Sequence, residues 1–344
     1  MQHTQGRRPG WDRRAGAVAV AAMVAGAVMV PGLVAAQSPS AGAPIDIAYL
    51  SYAIANTYDA PMLEAAQAAA AAGNATITVF DANNAPAEQQ TQLQDAVASG
   101  KYDGIIVQPI AGAALVTPVQ AAIAAGIQVA NLDQTLGADL TTSAAQVDGL
   151  AANVVFVPSE IGRKLGEQTV AACAEAAVDP CKVGYLFAFK GYPLDNAIRA
   201  AFDTAVAGTP AVKVVAEGQG MFSAQGGLQA GQDMLTANPD LAVLVGSDQA
   251  ITGALQAASG AGITGIRSVG FGGGAVALQE IADGKRYATV MQLPATEGKL
   301  AVEQLINAIR TGTPAEGVDP VSQLPDDGVA TKDNAASFTA EWPG

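Results

Sequence analysis

Beyond position 44 the chain alternates between two kinds of segment. Short apolar runs rich in Val and Ile are followed by longer Ala-rich stretches with polar residues at helical spacing. Ten runs, from Ile45–Leu50 to Tyr287–Met291, read as strands. Their apolar residues are continuous, which is the pattern of a strand covered on both faces. Nine stretches, the first Asp59–Ala72 and the last Ala295–Arg310, read as helices. Strict strand–helix alternation implies parallel sheets with helices packed on them. Ten strands exceed one ordinary small α/β domain and divide naturally into two doubly wound lobes of about five strands each. The fifth run ends just before Pro158, and no Gly/Ser- or Pro-rich tether follows, so the junction reads as a tight hinge. After Arg310 the chain runs into a polar, Pro-rich tail.

The first 36 residues break this pattern. Arg7, Arg8, Arg13 and Arg14 precede an uncharged apolar stretch from Ala15 to Val34, and the small residues Val34-Ala35-Ala36 offer a cleavage site before Gln37. This order predicts a signal peptide over residues 1–36 and hence a periplasmic or extracellular protein. A permanent membrane anchor is the competing reading, weakened by the Ala/Gly content and the Pro31-Gly32 break. The formal charge is -14 for the whole chain, and losing the leader removes four Arg and one Asp. A chain this acidic does not hold nucleic acid by bulk electrostatics. Its two cysteines, Cys173 and Cys181, form a disulfide candidate in an oxidising compartment, with free thiols the alternative. The only histidine is His3, inside the leader. Ser-His-Asp and Cys-His catalysis and His-ligated metals are thereby excluded from the processed chain, and no cofactor or metal is expected; carboxylate and Ser-Lys chemistry stay open.

Ligands of open parallel sheets gather beyond the carboxyl ends of the strands. The residues found there are Asn56, Tyr58 and Asp59 after the first run, and Asp133 and Gln134 after the fourth. Tyr192, Asp195 and Asn196 follow the sixth, Met221 and Phe222 the seventh, Ser247, Asp248 and Gln249 the eighth, and Gln292 the tenth. Amides and acids can bond hydroxyls while aromatic faces cover C–H surface, so the set suits a neutral, hydroxyl-rich ligand. Each residue also has a plain structural reading: caps at Asn56, Asp59 and Asp248, an Asx-turn at Asp133, core packing at Phe222. Gly270-Phe271-Gly272-Gly273-Gly274 follows a strand and opens a helix, as a dinucleotide loop or a simple glycine-rich turn would.

Larger motifs carry a resemblance. They are Asn56-Thr57-Tyr58, Gln92 and Asp95, Asp103-Gly104-Ile105-Ile106-Val107-Gln108-Pro109, and Ala125-Gly126-Ile127-Gln128-Val129 leading to Asp133. Gly162-Arg163-Lys164-Leu165-Gly166-Glu167, Gly246-Ser247-Asp248 before Gly253-Ala254, Val269-Gly270-Phe271 and Ala288-Thr289-Val290-Met291-Gln292-Leu293-Pro294 complete the set. Together the chain resembles the periplasmic ribose/galactose-type, or type I, solute-binding proteins of sugar ABC transporters. The resemblance implies two parallel-sheet lobes joined by a three-strand hinge: residues 44–157 with 293–317 as the N-terminal lobe, and 158–292 with 318–344 as the C-terminal lobe. It implies that Asn56, Tyr58, Asp133, Phe222 and Gln292 contact sugar; Gln134, Asn196 and Ser247 join them as expected ligand-binding residues. Asn196 falls near a position where the family often has arginine, Ser247 replaces a common asparagine, and Gly272 replaces an aspartate. Fewer charged hydrogen bonds are then available to a sugar. The implied function is capture of a sugar or polyol by a monomer, with delivery to an ABC permease. An exported α/β enzyme and a sensory receptor feeding a chemoreceptor or kinase are the alternatives.

Overall fold

The computed structural model describes residues 42–344, and the expected signal peptide lies outside them. Five parallel strands build the first sheet: β1 (Ile45–Ser51), β2 (Ala75–Asp81), β3 (Gly104–Val107), β4 (Gln128–Asp133) and β5 (Ala152–Val155). Their spatial order is β2-β1-β3-β4-β5. The second sheet contains β6 (Cys181–Phe187), β7 (Val212–Gln219), β8 (Val243–Ser247), β9 (Arg267–Gly272), β10 (Ala288–Met291) and β11 (Val329–Thr331), ordered β11-β10-β9-β8-β6-β7. Only β11 runs antiparallel.

Alternate residues of each strand serve opposite cores, as the pleat requires. In β1, Ile47 and Tyr49 point with Ile106 and Leu132 toward α1 (Asp59–Ala72) and α9 (Pro294–Thr311). Ala48 and Leu50 point the other way, toward α2 (Pro86–Ser99) and α3 (Gly112–Ala124). The second sheet repeats the plan. α4 (Pro158–Ala176) and α5 (Pro193–Val206) cover one face, and α6 (Ala224–Ala237) and α7 (Asp248–Gly260) the other. Small residues let these pairs approach closely. A Cβ on Gly162 would lie 2.1 Å from the Ile198 carbonyl oxygen, and one on Gly227 2.1 Å from that of Ala250.

The chain passes between the sheets three times. It leaves β5 for α4 on the second sheet, returns from β10 to α9 on the first, and leaves again past Val318 to reach β11. Val318 bridges Val154 in parallel, which ties the third crossing beside the first. The tail contributes β11 and then runs back over the second lobe. One feature departs from the sequence reading. β4 carries on one residue past Leu132, so Asp133 is the last residue of the strand. No described helix is long and apolar enough to cross a membrane.

Cys173, near the end of α4, is bonded to Cys181, which opens β6, with the Cα atoms 5.7 Å apart. Closing so short a loop removes about 2–3 kcal/mol of unfolded-chain entropy, and less where the loop is already ordered. The Cys173→Ala/Cys181→Ala variant is therefore expected to fold with its ligand affinity retained and its stability lowered by at most that amount. Chemical denaturation of the two proteins side by side measures the difference.

Candidate ligand-binding site

The carboxyl ends of both sheets face one another across a cavity of ≈ 40 Å³. The first lobe lines it with Tyr52, Asn56, Tyr58, Asp59, Gln108, Asp133 and Gln134. From the second lobe and the crossings come Phe156, Leu194, Phe222, Gln249, Phe271, Gly272, Gln292 and Trp342. The lobes also touch directly, since Tyr192 packs against Tyr52, Ala53, Ala82 and Ile110 of the first. The conformation is closed.

Gln108 organises the first-lobe wall. Its Oε1 accepts from the Tyr52 backbone N–H at 2.9 Å, which fixes the amide orientation. Its Nε2 then donates to Asp59 Oδ1 at 2.6 Å and to Asp133 Oδ2 at 3.1 Å. The Tyr58 hydroxyl donates to Asp133 Oδ1 at 3.1 Å. Asp133 has φ 66°, a left-handed conformation that side chains other than Gly adopt at a cost of order 1–2 kcal/mol. That turn at the strand end aims its carboxylate into the cavity.

Burial dominates the acid–base properties of this wall. It pushes the Asp133 carboxyl up to about 6, against the lowering effect of its hydrogen-bond donors. It raises Asp59 well above the usual carboxylate range, helped by the charge of Asp133. Glu297, on α9, is fully buried, and neither of its carboxyl oxygens has a donor. Burial and the adjoining charge of Asp133 hold Glu297 well above its ordinary value.

The second-lobe wall is aromatic. Met221 and Phe222 both have positive φ, 52° and 46°, in the turn between β7 and α6. The turn presents Phe222 to the cavity, edge-on to Phe189 and Phe271 with ring centroids 6.0 and 6.3 Å away. Trp342 enters from the tail. Its indole Nε1 donates to the Gly272 carbonyl at 2.8 Å, and its ring meets Tyr58 of the other lobe edge-to-face at 5.6 Å. Gly272 has φ +133°, and a Cβ there would lie 2.6 Å from the indole ring. The indole thus occupies the space a side chain at 272 would need.

The glycine run is a structural turn. α8 (Ala275–Ala282) begins there, but its first amides are already engaged: Ala275 N–H donates to the Trp342 carbonyl at 3.0 Å and Val276 N–H to that of Pro343 at 3.1 Å. Those are the donors a nucleotide phosphate would require. Asp248 is not the helix cap. Ser247 caps α7 by accepting from Ala250 N–H, while Asp248 accepts from Gly273 N–H at 2.7 Å and Thr289 Oγ1 at 2.9 Å, pinning the turn from beneath.

Of the eight expected ligand residues, Asn56, Tyr58, Asp133, Gln134, Phe222 and Gln292 line the cavity. Asn196 and Ser247 do not. Asn196 sits on the exposed side of α5 and donates to the Gly191 carbonyl at 3.2 Å; Leu194 of the same helix reaches the cavity instead. Ser247 spends its hydroxyl on the cap. Asp195 accepts from Ala188 and Phe189 N–H, so it shapes its own loop. Asp59 and Gln249, strand-end candidates outside the eight, also line the cavity, and sequence reasoning missed Tyr52, Gln108, Phe156, Leu194, Phe271 and Trp342. Gln108 directly follows a strand, and Trp342 is one of only two tryptophans, set in a polar tail. Both were available signals.

A model of the periplasmic binding protein domain matches residues 47–314. The ribose import binding protein of Escherichia coli K12 is 29% identical over 277 residues, covering 80% of this chain and 88% of that protein. The D-allose-binding periplasmic protein of the same organism is 27% identical over 243 residues, 70% and 75% of the two chains. Among solved structures, a galactofuranose binding protein superposes with TM-score 0.73 at 20% identity, covering 85% of this chain and 96% of that one. The Caulobacter myo-inositol binding protein gives 0.73 at 22%, covering 87% and 97%. At these identities the two structures speak for the fold, and the family match spans both sheets. The chain belongs to the periplasmic binding protein family and is a type I solute-binding protein.

Proposed function

We propose that the protein is exported, captures a small polyhydroxylated ligand such as a sugar or polyol between its lobes, and presents the closed form to the permease of an ABC importer. The observation that carries this reading is the cavity itself: it is lined from both lobes at their strand ends, so a ligand there favours closure by its greater affinity for the closed state. The relatives named for ribose and D-allose support the hydroxyl-rich class. The groups present bind and orient; the protein acts as a monomeric receptor and returns its ligand unchanged.

The test is a thermal-shift screen of ribose, allose, arabinose, myo-inositol and glycerol on the protein without its leader. A ligand at a hundred times its Kd adds about 2.7 kcal/mol to the native state and must raise the melting temperature. Small-angle scattering with the ligand so found should show compaction. A screen without any shift, or turnover of the ligand on prolonged incubation, would overturn the reading.

A further inference from the structure

The cavity is unbalanced in charge. Asp59 and Asp133 line it, Glu297 adjoins Asp133 from behind, and none of the fifteen lining residues is Lys, Arg or His. The remaining charges felt by this group are also negative: Asp81 acts on Asp59, and Asp319 and Glu341 act on Glu297. Several cations elsewhere in the second lobe have partners of their own. Arg286, buried beneath the glycine turn, pairs with Glu280 at 2.6 Å and Asp248 at 3.5 Å; Lys164 lies 3.2 Å from Asp327; Arg199 and Lys190 share Glu217. Facing the acids is an aromatic wall that includes Phe222, Phe271 and Trp342. Carboxylates on one side and ring faces on the other are what stabilise a desolvated ammonium group.

We propose that the ligand is a cationic polyhydroxylated molecule, an amino sugar or aminopolyol, whose ammonium group supplies the positive charge that Asp59, Asp133 and Glu297 lack. The proposal rests on the capture of a hydroxyl-rich ligand argued above and narrows its class. Burial raises Glu297 and Asp59 well above their ordinary values and so favours their protonated forms. A bound ammonium removes the need for at least one of them. Asp59 is the group best placed to release its proton, because Gln108 already donates to its Oδ1 and stabilises the anion. Binding of the cation is therefore coupled to proton release, and binding of an uncharged ligand is not.

Matched pairs test this. Glycerol is compared with serinol, and sorbitol with 1-amino-1-deoxysorbitol, by calorimetry at pH 7.5 in two buffers of different ionisation enthalpy. The amine of at least one pair is expected to bind tenfold tighter or better than its neutral twin, with a buffer-dependent heat that reports proton release. Asp59→Asn should cost the amine at least tenfold more than it costs the neutral twin. If the neutral member binds as tightly or tighter, or if Asp59→Asn leaves the preference intact, the charge inference falls while polyol capture stands. If no amine of either pair binds while a neutral sugar shifts the melting temperature, the charge inference falls and polyol capture stands; if neither amines nor neutral sugars bind, both fall.

Discussion

Trp342→Ala is expected to weaken ligand binding about thirtyfold or more, the largest effect of any single substitution in the cavity. The side chain is almost fully buried, at 3% exposure, and it acts in three places at once. It forms part of the wall, it bonds the Gly272 carbonyl, and it meets Tyr58 across the cleft. Buried aromatic residues at the centre of an interface commonly contribute 2 kcal/mol or more, and that amount corresponds to about thirtyfold. Removing the ring also leaves a void against Gly272 and Gly274 that no neighbouring side chain fills. Large-to-small changes of this kind cost roughly 3–5 kcal/mol in a packed core, so the melting temperature should fall as well. Trp342→Phe separates the two roles. It retains the wall and the contact with Tyr58 but loses the indole donor, so its binding loss should stay below tenfold. Calorimetry and thermal melts on both variants measure this. Equal, small losses in both would place the ligand away from the tail.

Asp133→Asn should weaken binding about tenfold or more, equivalent to at least 1.4 kcal/mol, while making the free protein no less stable at neutral pH. The two effects have opposite signs for one reason. An ionised carboxylate is a strong acceptor for ligand hydroxyls or a counter-charge for an amine, but keeping it ionised inside the protein is costly. Burial pushes its folded-state pKa up to about 6, above the unfolded value. The stabilising contribution of the protonated form is complete below about pH 4 and is lost as pH rises through about 6. Asparagine has no such transition, so the loss of stability between those limits should be smaller in the variant. The amide also fits its neighbours: Oδ1 can accept from Gln108 while Nδ2 donates to the Tyr58 hydroxyl oxygen. Melting curves from pH 4 to 8, alongside calorimetry, check both signs. A variant destabilised at every pH would mean that Asp133 serves the fold more than the ligand.

The two-lobe architecture was legible because it is written in long-range repetition. Uninterrupted apolar runs such as Gly104–Val107 cannot be half-exposed strands, and their strict alternation with Ala-rich stretches leaves little besides parallel sheets. Site residues set by the strand ends, Asp133 and Phe222 among them, were legible for the same reason: topology puts strand ends together. Asn196 misled because a helix start offers several side chains within one turn, and only the helix orientation decides that Leu194 faces in. Gln108 was passed over as part of a strand motif, although its amide arranges two carboxylates. Trp342 was hidden by distance. It lies seventy residues beyond Gly272, and a missing side chain in one loop gives no sign of which distant ring takes its place. β11 is three residues long and carries too little pattern to be read without its partner.

The seating of Tyr192 among Tyr52, Ala53, Ala82 and Ile110 bears on how long a captured ligand stays. None of these apolar contacts needs the ligand, yet all must be broken before the lobes part. Half-burial of one such ring is worth on the order of 1 kcal/mol, about a fivefold factor. Because the contact forms only on closure, most of that factor should fall on escape and little on capture. The cleft would then behave as a slow door whose closing is helped by a residue that touches no cargo. Tuning Tyr192 would change residence time while leaving the selectivity of the cavity as it is.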